Sequence, residues 1–126
     1  MTIMVRTTNL AFQYELGLRE WLGIDHDEVV RRIERYELLG CADKGGLVFP
    51  TIQFGGAGDT IPYLCEVLSV LATGTPDCWA WAEWLSKEKP WRFGGMSAAR
   101  WLSSGRELGV VLDAARSKAS RWQIQA

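Results

Sequence analysis

The segment Asp77-Cys-Trp-Ala-Trp-Ala-Glu-Trp-Leu-Ser-Lys-Glu-Lys-Pro-Trp-Arg-Phe-Gly-Gly-Met-Ser-Ala-Ala-Arg-Trp-Leu102 holds five of the seven tryptophans of this 126-residue chain. Thr75 or Asp77 can cap a first helix, and Ser97 can cap a short second one. Large aromatic side chains serve cores and interfaces, whereas an active site needs polar groups with defined partners. The segment therefore predicts helices joined by a loop, and it indicates packing and docking rather than catalysis.

The sequence on either side of this segment is also helical in pattern. Pro62 suits a first helical position, and apolar residues spaced three or four apart follow it as far as Leu71. After Gly105, an amphipathic pattern runs from Arg106 to about Trp122. The C-terminal part of the chain is therefore predicted to be a compact four-helix unit.

The N-terminal part predicts a smaller lobe. Apolar periodicity indicates helices over Phe12–Leu22 and His26–Leu39, and Leu47–Phe54 alternates weakly around a proline, which favours a short extended segment. The glycine-rich turn 55–59 is the predicted boundary between this lobe and the helical unit that follows it. The prediction is a mainly α fold in two parts, a helix-turn-helix-like lobe at 1–54 and a helical unit at 55–126.

Composition limits the function further. The net charge is -1, so no global field draws the chain to nucleic acid or to a membrane, and no apolar run is long enough for a transmembrane helix. The start of the chain does not resemble a signal peptide, which predicts a cytoplasmic location. Cys41, Cys65 and Cys78 are an odd number at wide spacings, which favours reduced core thiols over disulfides or a zinc site.

No pattern in the chain indicates an enzyme. The single histidine, His26, lies between two aspartates at a predicted helix start, where capping or solvent exposure is the usual role. The glycines at 55–58 are not followed by the Lys-Ser/Thr pair of a phosphate-binding loop. Ser103 and Ser104 have no histidine to activate them. We therefore predict no catalytic residue, no metal site and no cofactor.

The tryptophans divide into two groups by their surroundings. Trp81, Trp84 and Trp101 are predicted core residues. Trp79, Trp91 and Trp122 are predicted interface residues, since Trp91 lies in a polar loop and Trp122 lies among basic and polar residues near the end of the chain. An exposed indole beside basic groups suits a protein partner, and base stacking is the competing explanation.

The N-terminal lobe has a separate functional signal. Its sequence from Leu16 to Pro50 resembles the helix-turn-helix and small wing of excisionase and MerR-type DNA-binding modules. That resemblance implies DNA contacts from Arg31, Arg32 and Arg35 on the recognition helix. Three glutamates on the same helix favour instead a solvated face of alternating charge. Both interpretations stay open at this point.

The sequence from Leu47 to Ala115 resembles the toxin-binding domain of Xre/MbcA/ParS-type bacterial antitoxins. The family's P-x-x-Q-F motif matches Pro50–Phe54, and its W-x-x-x-x-W-L helix matches Trp79–Leu85. Its proline loop ending in Gly-Gly matches Pro90–Gly95, and its short helix, glycine and closing helix match Ser97–Ala115. The order and spacing of these motifs carry the resemblance.

The resemblance implies an antitoxin that binds a cognate RES-domain toxin, an enzyme that consumes NAD or transfers its ADP-ribose. The antitoxin covers the toxin's active site, often with its last helix and terminal residues, here 117–126, and it can regulate its own operon by binding operator DNA. The partner that the resemblance implies is the toxin. The toxin-binding residues expected on this basis are Trp79, Trp91, Arg92, Phe93, Arg116, Lys118, Arg121 and Trp122. Separately, the two-sided apolar helix Asp77–Ser86 and the stripe on Arg106–Trp122 supply more apolar surface than one small core can cover, which predicts a homodimer or a toxin–antitoxin hetero-oligomer.

Two other functions remain as alternatives. The chain could be a helix-turn-helix regulator of phage or plasmid type without a toxin partner. It could also be an adaptor that binds another protein.

Overall fold

The computed structural model describes residues 10–55, 58–89 and 91–125, and the fold is mainly helical, as predicted. Two helices and a small sheet come first, and four helices follow. The elements are β1 (Phe12–Tyr14), α1 (Glu15–Leu22), α2 (His26–Glu34), β2 (Cys41–Asp43), β3 (Gly46–Pro50), a 3₁₀ turn (Thr51–Gln53), α3 (Leu64–Ala72), α4 (Cys78–Ser86), α5 (Ala98–Ser103) and α6 (Leu108–Gln125).

The sheet is antiparallel with the strand order β1-β3-β2. Its hairpin turns at Lys44 and Gly45, which both have positive φ, as a tight two-residue connection between twisted strands requires. The predicted helix at Phe12–Leu22 is wrong over its first three residues, which form β1. Pairing with β3, in the register Phe12 to Pro50, outweighs the local helical pattern there.

The second predicted helix is also too long. Helix α2 ends at Glu34, and Tyr36 has a φ of 61°, which no α-helix contains. The chain then turns so that Leu38 and Leu39 are buried in the two cores. Strand β2 was missed because the glycines at 40, 45 and 46 suggested a loop.

The helices of the C-terminal part agree better with the sequence. The side chain of Asp77 accepts a hydrogen bond from the Trp79 N–H at 3.0 Å, and the Ser97 hydroxyl accepts one from the Arg100 N–H at 3.1 Å. Both predicted caps are confirmed. Helix α3 starts later than predicted, because Tyr63 adopts a left-handed conformation with φ 64° directly before it.

The chain packs closely on α6 at Gly74, two residues after the end of α3. A Cβ on Gly74 would lie 2.5 Å from the Cα and 2.6 Å from the carbonyl oxygen of Ala119. Real Cβ atoms do not approach backbone so closely, so this crossing requires glycine. Ala119 is itself buried, and the packing of α6 therefore continues well beyond Ala115.

The larger hydrophobic core draws on both predicted parts of the chain. Leu39, Cys41 and Val48 of the N-terminal lobe belong to the same cluster as the buried faces of α3 to α6. A smaller cluster of Leu18, Val29, Leu38 and Phe49 lies within the N-terminal lobe. The hydrophobic core is therefore continuous across the boundary predicted at 54/55.

Gln53 joins the end of the N-terminal lobe to the segment that precedes β2. Its side chain is fully buried, accepts a hydrogen bond from the Leu39 N–H at 2.8 Å, and donates to the carbonyl oxygens of Leu39 and Pro50 at 2.8 and 3.0 Å. Buried polar groups need partners, and here the amide has three. The glutamine of the P-x-x-Q-F motif therefore has a structural role in this chain.

Cys41 and Cys78 form a disulfide that joins β2 to the first residue of α4, with Cα atoms 5.9 Å apart. The expectation of three reduced thiols is wrong for this pair, because the fold brings together residues 37 positions apart in sequence. Cys65 is free and exposed.

Among the described residues, no helix combines the length and the apolar character that crossing a membrane requires.

Candidate functional site

The most exposed large aromatic side chain of the described residues lies in the loop between α4 and α5. Trp91 is 89 % exposed, and its neighbour Arg92 is also exposed. Backbone hydrogen bonds order this loop. The N–H groups of Arg92 and Phe93 donate to the Lys89 carbonyl, and the Lys89 N–H donates to the Met96 carbonyl. The structure thus presents Trp91 at the tip of a hydrogen-bonded turn.

Phe93 anchors this turn instead of contacting a partner. Its side chain is fully buried, with its ring centroid 6.4 Å from that of Trp84 and 5.7 Å from that of Trp101. The prediction that Phe93 binds the toxin is therefore corrected, because its ring is buried in the core. Its burial between two indoles holds the loop on the core and leaves Trp91 outside.

Trp79 is a second correction. It is 7 % exposed and packs edge-to-face against Phe12, with ring centroids 5.2 Å apart. Strand β1 packs over the side of α4 that carries Trp79. The spacing of residues within α4 could not predict this contact, because β1 is distant from α4 in sequence. Trp81 and Trp84 are buried as predicted, and Trp101 is half-buried with its indole N–H bonded to the Glu107 carbonyl.

The basic candidates on α6 lie on different sides of the helix. Successive residues are separated by about 100°, which places Trp122 about 40° from Lys118 but Arg116 about 160° from it. Lys118 and Trp122 are half-buried on the stripe that faces the core, and the Lys118 ammonium lies 5.6 Å from the Trp122 ring centroid. Arg116 and Arg121 are exposed, and Arg116 binds Asp113 at 3.0 Å. Arg116 is therefore not part of the surface near Trp122.

Lys89 was not among the predicted site residues, although in the structure it belongs to the hydrogen-bonded turn that carries Trp91. Its ammonium donates to the carbonyl oxygens of Trp84 and Lys87 at 2.9 and 3.0 Å and lies 4.8 Å from the Trp84 ring centroid. Burial, and then the charges of Lys87 and Lys118, lower the pKa of Lys89 to about 8. Lys118 is thus close enough to Lys89 for their charges to repel. We call the group of Lys87, Lys89, Trp91, Lys118 and Trp122 the lysine–indole face.

Arg31 and Arg32 of α2 form ion pairs with a glutamate of the same helix. One carboxylate oxygen of Glu28 accepts from Arg31 at 2.7 Å, and the other accepts from Arg32 at 2.8 Å. Hydrogen bonds from Arg32 and then Arg31 hold the pKa of Glu28 below its usual value. Arg35, the C-cap of α2, is exposed and makes no ion pair among the described residues.

The remaining polar candidates have local roles. Asp25 caps α2 by accepting a hydrogen bond from the Glu28 N–H at 2.9 Å, and the His26 ring contacts the Glu15 carboxylate. A groove of about 440 Å³ lies between the 3₁₀ turn and α5, but the Ser97 and Ser103 hydroxyls on its wall bond to the backbone of α5. No group of three acidic, histidine or cysteine side chains in the described ranges could hold a metal ion.

Comparison with known proteins supports the fold and leaves the function open. No family model matches the chain, and no curated protein sequence matches it. The chain is similar to a protein of known structure, Rv2175c, determined by NMR. The two share 19 % sequence identity with a TM-score of 0.60, over 94 % of this chain and 83 % of that one. At this level of identity the similarity shows a shared fold.

Proposed function

We propose that this protein is a cytoplasmic antitoxin, with no catalytic activity of its own, that binds a RES-domain toxin and covers its active site. The observation that carries the proposal is the lysine–indole face, where the nearly fully exposed Trp91 lies in the same hydrogen-bonded turn as Lys89. Tryptophan is the residue type most enriched among the dominant contacts of protein interfaces. The resemblance of residues 47–115 to antitoxin toxin-binding domains supports a toxin as the partner.

Because α6 is packed on the core, its end cannot cover the toxin as a separate terminal segment. The segment 117–125 is packed on the fold, because Ala119 is buried against Gly74 and the Gln123 amide donates to the Thr73 carbonyl at 2.6 Å. Removing all residues after Ala115 would therefore damage the fold. We propose that the toxin contacts the folded surface formed by the loop around Trp91 and the end of α6.

The test is coexpression with RES-domain toxins, beginning with any that is encoded beside this gene. The intact chain should restore growth and copurify with the toxin. Trp91→Ala should weaken the complex by about 2 kcal/mol, because it removes a central aromatic contact without disturbing the core.

Leu16→Ala is the matched control, since Leu16 is also a large exposed apolar side chain, 65 % exposed, but lies on α1. It should leave binding unchanged. Absence of any complex between the intact chain and the toxin would overturn the proposal.

A second activity, binding of operator DNA, is favoured by the arrangement of the N-terminal lobe. Helices α1 and α2 are joined by a short turn at Gly23, and the β2–β3 hairpin follows them with the exposed Lys44 at its tip. Helix, turn, helix and hairpin in this order are the elements of winged DNA-binding modules. Salt-dependent binding to the DNA upstream of the gene would test it.

A further inference from the structure

The three lysines of the lysine–indole face have no acidic partner within the described chain. The ion pairs of the described residues involve Arg19, His26, Arg31, Arg32 and Arg116 instead. Burial and two neighbouring lysines account for the pKa of Lys89, and no carboxylate raises it. The nearest acidic residue in sequence, Glu88, belongs to the wall of the groove beside α5.

This arrangement costs stability in the free protein. Like charges repel, and half-burial adds a desolvation cost to the Lys89 ammonium. The carbonyl groups at the end of α4 offset part of this cost, because the C-terminal end of a helix carries partial negative charge. A bound anionic group would remove the remaining repulsion among the three ammonium groups.

The indoles identify which kind of anionic partner fits. Trp91 lies two residues beyond Lys89 in the same turn, and Trp122 lies under the Lys118 ammonium. The face thus combines an exposed apolar anchor with fixed positive charges. Its chemical complement is an apolar side chain flanked by carboxylates, since charge complementarity sets the register of an interface and the aromatic anchor supplies affinity.

We infer that the lysine–indole face binds an acidic protein segment, in which carboxylates surround an apolar contact with Trp91. The inference rests on the proposed antitoxin function for the identity of the partner. It adds to that function the charge and chemistry of the toxin surface that is recognised.

The experiment measures binding of a RES-domain toxin, and of poly-L-glutamate as a partner-independent acidic probe, by the folded full-length chain. Lys118→Glu and Lys87→Glu should each weaken both interactions by about tenfold at low salt and flatten their salt dependence. Lys87 is exposed, so its replacement does not threaten the core.

Arg116→Glu is the matched control, because it makes the same charge change on the other side of α6. It should change the affinity by less than about twofold, as expected for a charge outside the contact. Circular dichroism establishes that every variant is folded.

Each outcome decides between the two proposals. Toxin binding that the Lys118→Glu and Lys87→Glu variants retain in full would overturn this inference and leave the antitoxin function standing. Binding of poly-L-glutamate but not of the toxin would support the acidic-segment site and overturn the antitoxin function. Binding of neither would overturn both. Competition by polyadenylate as effective as that by poly-L-glutamate would identify a phosphate site and overturn the inference.

Discussion

Two basic clusters of this molecule differ in how their charge is balanced. On α2, Glu28 lies three and four residues before Arg31 and Arg32 and binds both, which raises the pKa of Arg31. In the lysine–indole face, Lys87, Lys89 and Lys118 come from two separate elements and have no such carboxylate among the described residues.

The comparison teaches that a count of cations does not locate a binding surface. The arginines attracted attention in the sequence because they are adjacent, yet adjacency on a helix also allows one glutamate to bind two of them. The lysines come together only in the folded chain, where the charges of Lys87 and Lys118 act on Lys89 and lower its pKa.

The largest effect is expected from breaking the packing that assembles the lysine cluster. Gly74→Ala places a Cβ against the backbone of Ala119, so α3 and α6 must separate. We expect a loss of about 3 kcal/mol in the free energy of unfolding, as found for overpacked sites that cannot relax. Urea denaturation measures it.

Gly109→Ala is the control for that experiment. Gly109 lies in α6, and its added Cβ would meet only the flexible Glu107 carboxylate at 3.4 Å. Alanine in a helix should raise stability by up to about 1 kcal/mol. Equal effects at the two glycines would show that the close crossing is not what holds α6 in place.

A somewhat smaller loss is expected from removing the hydrogen bonds that the buried Gln53 side chain makes to Leu39 and Pro50. Gln53→Ala leaves the N–H and carbonyl of Leu39 buried without their side-chain partner, which should cost about 2 kcal/mol. Gln123→Ala is the matched control, since that amide is exposed and makes one hydrogen bond. It should cost less than about 0.5 kcal/mol. Similar losses for both variants would contradict a central role for Gln53.

These residues also show what the sequence could and could not predict. Helices α4, α5 and α6 were predictable because local caps and spacing determine them, as at Asp77 and Ser97. Strand β1 and the burial of Trp79 were not, since both depend on partners distant in sequence. Trp91 was found as an exposed anchor, because nothing near it in a polar loop could bury it. Lys89 was missed because its environment exists only in the folded chain.

The arginine cluster offers a third test, with effects of about 1 kcal/mol on DNA binding. Arg35 makes no ion pair among the described residues, so Arg35→Ala should reduce the slope of log affinity against log salt by about 1. Arg31→Ala should do less, because Glu28 already neutralises that charge. Glu28→Gln should strengthen binding. Fluorescence anisotropy with the DNA upstream of the gene measures all three.

A larger effect of Arg31→Ala than of Arg35→Ala would contradict the contrast drawn between free and neutralised arginines. Failure of the parent protein to bind this DNA at any salt concentration would remove the second activity altogether.

The smallest expected effect concerns the charge on Lys89. Its pKa is about 8 in the folded protein and near its ordinary value of about 10.5 in the unfolded chain, so the unfolded state binds more protons between these values. The free energy of unfolding should therefore rise as the pH increases from about 8 to 10.5. Below pH 8 both states are charged and the full penalty is present. Because Lys89 is half-exposed, solvent screening should limit the gain to about 1 kcal/mol.

Lys89→Met separates this contribution from that of other groups that titrate in the same range. It keeps a long apolar stem but removes the titrating ammonium, so the parent should gain stability relative to the variant between pH 8 and 10.5. Lys118→Gln should reduce the gain, because one of the charges that lower the Lys89 pKa is then absent. Urea midpoints at pH 7 and pH 10 give the difference. If parent and Lys89→Met change in parallel, the repulsion among the lysines is too weak to distinguish this cluster from the neutralised arginines of α2.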